Sequence, residues 1–311
     1  MKVTVVGSGY MGRGIAQTLV LGSATVVLVD QTSDIAEFSL MKLVEEVAFA
    51  EKNGLVPNGS CALVKKNANF AKSIEEGVAN VDLVMEAVFE DRGVKEKTLQ
   101  EIEKFASPTT VIGTNTSAIP ISDLAKVLNH PNRFFGIHWY NPAPYLPGIE
   151  IILGPESDSK LLIPVLDLLR AAGKDPVEVT DSPGFVANRL QFALFKEAAL
   201  MVEEGLATPS QIDDVVRSAF GFRLPFFGPF AIADMAGLDV YSNSYKTLSA
   251  TLGPRFEVPP SLAKMVSEGD LGVKSGGGYL RMSKEEVTEI LELRDRSYVA
   301  LDKLRKDLGS F

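Results

Sequence analysis

Apolar residues in the first 180 positions gather into short β-rich runs separated by amphipathic stretches. Lys2 to Val6 and Thr25 to Val29 read as buried parallel strands, and Met11 to Val20 between them carries helical spacing, so the chain opens on a βαβ unit. Further β-rich runs lie at Asp82 to Met85, Thr109 to Ile112, Arg133 to Ile137, Ile149 to Leu153 and Pro176 to Val179. Helical patterns such as Val94 to Phe105 and Lys160 to Ala172 intervene, which predicts a doubly wound α/β sheet. The stretch Leu40 to Ala71 begins helical and breaks at Gly54, Pro57 and Gly59, so it reads as a helical excursion inserted between strands.

After Asp181 the β pattern gives way to helices. Ser182-Pro183-Gly184 reads as a helix start, with Phe185, Leu190, Leu194 and Met201 following before Gly205 ends the run. A long final helix is expected from Lys284 to about Leu304, with Val287, Ile290, Leu291, Tyr298 and Leu301 on one side. The expected organisation is an α/β domain over residues 1–181 and an all-helical domain over 182–311. A chain of 311 residues exceeds what one core usually serves, in keeping with two domains. No internal repeat or low-complexity tract interrupts it.

Composition narrows the function classes. Hydrophobic residues make up 46% of the chain and charged residues 23%, the balance of an ordinary globular protein. Thirty-one Lys and Arg against forty Asp and Glu leave a net charge of −9, a poor field for attracting nucleic-acid phosphates. Cys61 is the single cysteine, so no internal disulfide forms and a reducing compartment suits the chain. The first residues enter a strand pattern at once without a secretory signal, and charges interrupt every apolar stretch before membrane-spanning length. A cytoplasmic protein with a small-molecule partner, and with no metal, nucleic acid or membrane partner, is the expectation.

Gly7-Ser8-Gly9-Tyr10-Met11-Gly12 follows the first strand and opens the first helix. In that context Gly7 permits a tight turn, Gly9 lets the backbone approach a pyrophosphate, and Gly12 lets helix and strand pack closely. Asp30 closes the second strand where a carboxylate accepts hydrogen bonds from a ribose. Asp30 repels a 2′-phosphate, and Gln31, Thr32 and Ser33 supply no arginine to hold one, so NAD is favoured over NADP.

Two histidines exist, His130 and His138. His138 ends an apolar strand, where sheets of this type hold their ligands, whereas His130 sits in the turn Asn129-His130-Pro131-Asn132. His138-Trp139-Tyr140-Asn141-Pro142, Ile149-Glu150-Ile151, Asn115-Thr116-Ser117 and Ser182-Pro183-Gly184-Phe185-Val186-Ala187-Asn188-Arg189 together resemble the 3-hydroxyacyl-CoA dehydrogenase family. So do Glu86-Ala87 with Glu90 and Lys95, Gly228-Pro229-Phe230 with Asp234, and Lys274-Ser275-Gly276-Gly277-Gly278-Tyr279. The resemblance covers nearly the whole chain.

The resemblance implies a Rossmann-type domain followed by a helical domain, with substrate and nicotinamide meeting between them and dimerisation through the helices. It implies that His138 takes the substrate hydroxyl proton and that Glu150 orients the imidazole. Ser117 and Asn188 would hydrogen-bond the reacting oxygen. Asp30, Glu90, Lys95, Asn115 and Lys274 match cofactor-side positions. Taken singly, each residue has a structural alternative: Glu150 a solvent-facing strand position, Ser117 a turn former, Asn188 a helix cap, Lys95 part of a solvated helix face.

One segment departs from the members that use CoA thioesters, which carry a Met-Lys-Leu-Val-Glu type sequence before the glutamate. Here Leu146-Pro147-Gly148-Ile149-Glu150 lacks the lysine, and the helical excursion shows Glu45, Glu46 and Glu51, with Lys65 and Lys66 as its basic pair. The proline, with Trp139, Tyr140 and Tyr145 nearby, resembles branches acting on gulonate, carnitine or a pyridine carboxylate. The implied activity is oxidation of a secondary hydroxyl on a 3-hydroxyacyl-CoA type substrate. A free hydroxy acid or aromatic alcohol is the alternative, and an inactive nucleotide-binding protein the third reading.

Overall fold

A computed structural model describes residues 1–309. The chain divides into two compact units, Met1–Phe195 and Lys196–Phe311. The first carries β1 (Lys2–Val6), α1 (Tyr10–Leu21), β2 (Thr25–Val29), α2 (Ser33–Lys52), α3 (Ser60–Asn67), β3 (Ala68–Phe70), α4 (Ile74–Val78) and β4 (Leu83–Glu86). It continues with α5 (Arg92–Phe105), β5 (Val111–Thr114), α6 (Ile121–Leu124), β6 (Phe134–Trp139), β7 (Gly148–Leu153), α7 (Ile163–Ala171), β8 (Asp175–Thr180) and the start of α8 (Ala187–Glu203).

The eight strands form one sheet in the order β3-β2-β1-β4-β5-β6-β7-β8. All neighbouring pairs are parallel except β6 and β7, which run antiparallel. The expected doubly wound α/β fold is therefore present. The excursion read over Leu40 to Ala71 is in fact α2, beginning at Ser33, then α3, then a three-residue edge strand, β3, paired to β2. Three residues are too few to display a period of two, so hydropathy gave that strand no signature.

Alternation along the strands fills a core on each face of the sheet. Val3, Val5, Phe135, Ile137, Trp139, Ile149 and Ile151 pack with Ile15 and Leu19 of α1 on one face. Val6, Val84, Phe134 and Ile152 pack with Leu99 and Ile102 of α5 on the other. His138 and Glu150 share the second face's parity, which decides where their side chains point.

α8 starts at Ala187, not at Ser182 as the Pro-Gly pattern suggested. Gly184 and Phe185 take positive φ of 72° and 48°, so Ser182 to Phe185 form a turn that no helix can include. The division between the two units falls inside α8. Beyond it lie α9 (Pro209–Ser218), α10 (Pro229–Ala236), α11 (Leu238–Leu252), α12 (Pro260–Glu268) and α13 (Lys284–Leu308), so the second unit is helical as expected. A Ser283 and Glu286 capping box starts α13. No helix among the described residues is long and apolar enough to cross a membrane.

Candidate active site

The sheet register lines up one edge. Val6, Glu86, Thr114 and Gly136 are successive cross-strand partners on β1, β4, β5 and β6, so whatever follows them gathers at the carboxyl end of the sheet. Gly7, Val88 to Glu90, Asn115 to Ser117 and His138 all do.

At β1 the chain turns sharply into α1. Gly7 has φ of 94°, and a Cβ there would sit 2.5 Å from the carbonyl oxygen of Ala87. A Cβ on Gly12 would fall 1.9 Å from the Gly7 oxygen, so helix and strand pack only with glycine there. A Cβ on Gly9 would meet nothing within 4 Å, which leaves open space beside the first turn. Gly9 caps α1 without a side-chain hydrogen bond, so main-chain amides of that turn remain to bind an anion.

Asp30 stands beside this loop. Its Oδ2 accepts from the Ser8 amide and hydroxyl, both at 2.7 Å, and Oδ1 accepts from the Gln31 amide at 2.8 Å. Oδ2 is thus filled by two donors, and Oδ1 keeps acceptor capacity for a ribose hydroxyl. Open space at Gly9, free amides on α1 and a carboxylate at the end of β2 fit a dinucleotide.

On the other side of the register, His138 on β6 lies directly across from Glu150 on β7. His138 Nδ1 is 2.9 Å from Glu150 Oε2, with both side chains buried. The second carboxylate oxygen accepts from the amides of Val186 at 2.9 Å and Ala187 at 3.0 Å, at the start of α8. Burial alone would raise the Glu150 pKa. Hydrogen bonds from His138 and the Ala187 and Val186 amides, with the Tyr140 phenol nearby, outweigh it and hold the carboxyl below its usual range. The His138 ring packs edge-on against Tyr140, centroids 4.8 Å apart, and at a tilt against Phe185, centroids 5.6 Å apart.

The loop after β5 joins both halves. Asn115 Oδ1 accepts from the Trp139 amide at 2.8 Å, tying the ends of β5 and β6 together. Glu90 Oε1 accepts from the Thr116 hydroxyl at 2.6 Å and the Ser117 amide at 2.8 Å. The Asn188 amide donates to the Ser117 carbonyl at 2.7 Å. Ser117, Asn188 and Glu90 thus form one connected cluster, while the Asn115 side chain holds the end of β6.

Lys95 is not on a solvated face. It is 1% exposed, its ammonium 2.9 Å from Glu86 and 3.2 Å from Glu90. Glu86 is itself fully buried and also accepts from the Thr114 hydroxyl and the Val88 amide. Burial would raise the Glu90 carboxyl, but Thr116, Lys95 and the Ser117 amide together lower it.

Lys274 lies in the second unit, paired to Asp239. There Asp234, 1% exposed, accepts from the amides of Tyr279 at 3.1 Å and Leu280 at 2.7 Å, fixing the glycine turn that precedes them.

Sequence reasoning missed the buried Glu86–Lys95 pair, the Val186 and Ala187 amides on Glu150, and the Tyr140 ring beside His138. Tyr140 had a usable signal, since a residue two positions after His138 shares its face of the sheet. The paired amides had none, because they depend on where the turn at Gly184 and Phe185 delivers the chain.

Two family models match the chain. Residues 2–182 match the 3-hydroxyacyl-CoA dehydrogenase NAD binding domain and residues 184–282 its C-terminal domain. A 5-formyl-3-hydroxy-2-methylpyridine 4-carboxylate 5-dehydrogenase of Mesorhizobium japonicum is 33% identical over 97% of both chains. The mitochondrial hydroxyacyl-coenzyme A dehydrogenase of Homo sapiens is 34% identical over 90% of both. Among solved structures, a 3-hydroxyacyl-CoA dehydrogenase of Archaeoglobus fulgidus superimposes with a TM-score of 0.79 at 32% identity, covering 99% of each chain. A 5-formyl-3-hydroxy-2-methylpyridine 4-carboxylic acid 5-dehydrogenase gives a TM-score of 0.71 at 31% identity, covering 98% of each. This chain belongs to the 3-hydroxyacyl-CoA dehydrogenase family and is an NAD-dependent oxidoreductase acting on CH–OH groups.

Proposed function

We propose that the chain oxidises the secondary hydroxyl of a 3-hydroxyacyl-type substrate, with His138 as the base and Glu150 as its partner. The observation that carries this is the 2.9 Å contact between Glu150 Oε2 and His138 Nδ1 at the carboxyl end of the sheet. A carboxylate on Nδ1 selects the tautomer with the proton there and leaves the Nε2 lone pair to accept the substrate proton. As the imidazolium forms, the ionised Glu150 stabilises it. Ser117 and Asn188, linked to each other, supply donors for the oxygen that becomes the ketone. Bound NAD supplies the hydride acceptor. Gly7, Gly9, Gly12 and Asp30 hold its pyrophosphate and ribose, while Glu90, Lys95 and Asn115 shape the cofactor side. Lys274, in the second unit, matches a cofactor-side position of the family.

The catalytic test is His138→Ala, expected to keep NAD affinity and lose turnover by a factor of order 10² or more. Near-normal turnover would refute the pair.

A second reading concerns the substrate. A cleft of about 470 Å³ between α1, α2 and residues 142–145 is lined by Tyr10, Phe49, Tyr145, Lys42, Glu45 and Glu46. Glu46 is held by a bidentate pair with Arg13. Glu45 is likewise paired with Lys42 at 2.7 Å, so no unpaired cation lines this cleft for the phosphates of CoA, which favours a free hydroxy acid or aromatic alcohol. The pyridine-carboxylate dehydrogenase matching nearly the full length of both chains supports the same reading. Reduction of acetoacetyl-CoA compared with oxidation of a panel of free 3-hydroxy acids and pyridine alcohols separates the two. Efficient thioester turnover favours the first.

The exposed apolar side chains of α8, Leu190, Phe192, Leu194 and Phe195, support a homodimer. Sedimentation measures it, and a monomer at micromolar concentration would refute it. A cytoplasmic location is part of the same proposal, and fractionation of the source cells checks it.

A further inference from the structure

The cleft of about 470 Å³ is walled by α1, by α2 and by the loop Pro142 to Tyr145, which begins four residues after His138. The loop lies close on α1, since a Cβ on Gly14 would stand 3.1 Å from Pro144 and 3.2 Å from Ala143. On α2, Lys42, Glu45 and Glu46 fall within about one helical turn, so their charges share one side of the helix.

Those charges come in closed pairs. Arg13, the residue after Gly12, reaches from α1 to α2: its Nε donates to both Glu46 oxygens at 3.1 Å, and its Nη2 donates to Oε1 at 2.8 Å. Its Nη1 stands 3.5 Å from the Ser8 carbonyl, so the guanidinium is held from two sides. The Arg13 side chain is 16% exposed and that of Glu46 40%, and Glu46 lines the cleft whereas Arg13 does not. The carboxylate thus stands between the guanidinium and the cleft. The Lys42–Glu45 pair joins two exposed side chains of one helix, a weaker contact than a planar fork between two helices.

We propose that Glu46 is a specificity-determining residue: by capping Arg13 it excludes phosphate-bearing substrates from the cleft and selects those whose far end is compact and uncharged. A phosphate entering the cleft meets a carboxylate, and like charges at short range repel. The guanidinium behind it has its fork already spent on Glu46. The exposed rings of Tyr10, Phe49 and Tyr145 offer apolar and π surface instead.

This inference rests on the reading that a free substrate extends into this cleft, and its test separates the two. Glu46 is half-exposed on a helix and alanine is a good helix former, so Glu46→Ala keeps the fold and turns Arg13 toward the cleft. Calorimetry on the NAD-saturated chain compares CoA with pantetheine, the same arm without phosphates or nucleotide. The parent should bind CoA no more tightly than pantetheine. Glu46→Ala should bind CoA about tenfold more tightly, with pantetheine within a few fold, and kcat/KM for acetoacetyl-CoA should rise by a similar factor. Adding Arg13→Ala should erase the gain. A parent and a Glu46→Ala chain that reject the thioester equally would overturn the role of Glu46 alone. A gain that survives in the double variant would mean lost bulk rather than a freed cation, and tighter CoA without a rise in kcat/KM would place the substrate outside this cleft; either overturns the proposal. Efficient acetoacetyl-CoA turnover by the parent would sink the free-substrate reading itself.

Discussion

The side-chain amide of Asn188 donates to the main-chain carbonyl of Ser117 across 2.7 Å, joining residues 71 positions apart. One end of this bond follows the turn whose amides hold Glu150, and the other follows β5. The residues proposed to bind the reacting oxygen and the proposed partner of the base are thereby tied to the same few residues.

Asn188→Ala cuts that link and removes one donor. Turnover should fall about 10²-fold while NAD affinity, measured by fluorescence titration, stays within a few fold. A comparable loss of NAD affinity would mean that the bond supports the cofactor loop rather than the substrate oxygen.

Glu150→Gln keeps the shape of the carboxylate and loses its charge. The imidazolium then lacks its counter-charge, and turnover should drop by a factor of order 10 to 10². The same carboxyl contributes to acid stability. Its folded pKa is depressed, so its contribution is complete above the unfolded value near ~4.3 and is lost as pH falls through the folded value. Acid unfolding followed by circular dichroism should therefore show a smaller stability loss below about pH 4 in Glu150→Gln than in the parent. Equal losses would contradict a depressed carboxyl.

Lys95 sits between Glu86 and Glu90, almost wholly buried. Lys95→Met leaves Glu86 charged with no cation beside it, and breaking a buried pair in this way costs about 3–5 kcal/mol. Adding Glu86→Gln removes the stranded charge and should recover a good part of that loss in denaturant unfolding. No recovery would mean that the pair is not coupled.

Asp30→Asn retains an oxygen for the Ser8 contacts and removes the charge that repels a 2′-phosphate. The ratio of kcat/KM for NAD over NADP should fall about tenfold. An unchanged ratio would place cofactor discrimination elsewhere.

What the sequence determined was whatever depends on neighbours along the chain. The glycines before α1, the β-rich runs of β1 and β2 with their period, and the helical end of the chain were legible because turn sterics and amphipathic spacing are local. His138 stood out because so few histidines exist, and the company of Glu150, Ser117 and Asn188 was legible as a motif pattern.

Tertiary structure decided the rest. The antiparallel turn of β7 sets His138 opposite Glu150, and hydropathy carries no strand direction. The burial of Lys95 against Glu86 is likewise invisible along the chain, since a lysine on an amphipathic helix looks solvated until a neighbouring strand end covers it. Even the helix start shifted from Ser182 to Ala187, because positive φ at Gly184 and Phe185 delivers two amides to a carboxylate 36 and 37 positions away. Long-range hydrogen bonds and buried charge depend on distances that only the folded chain creates.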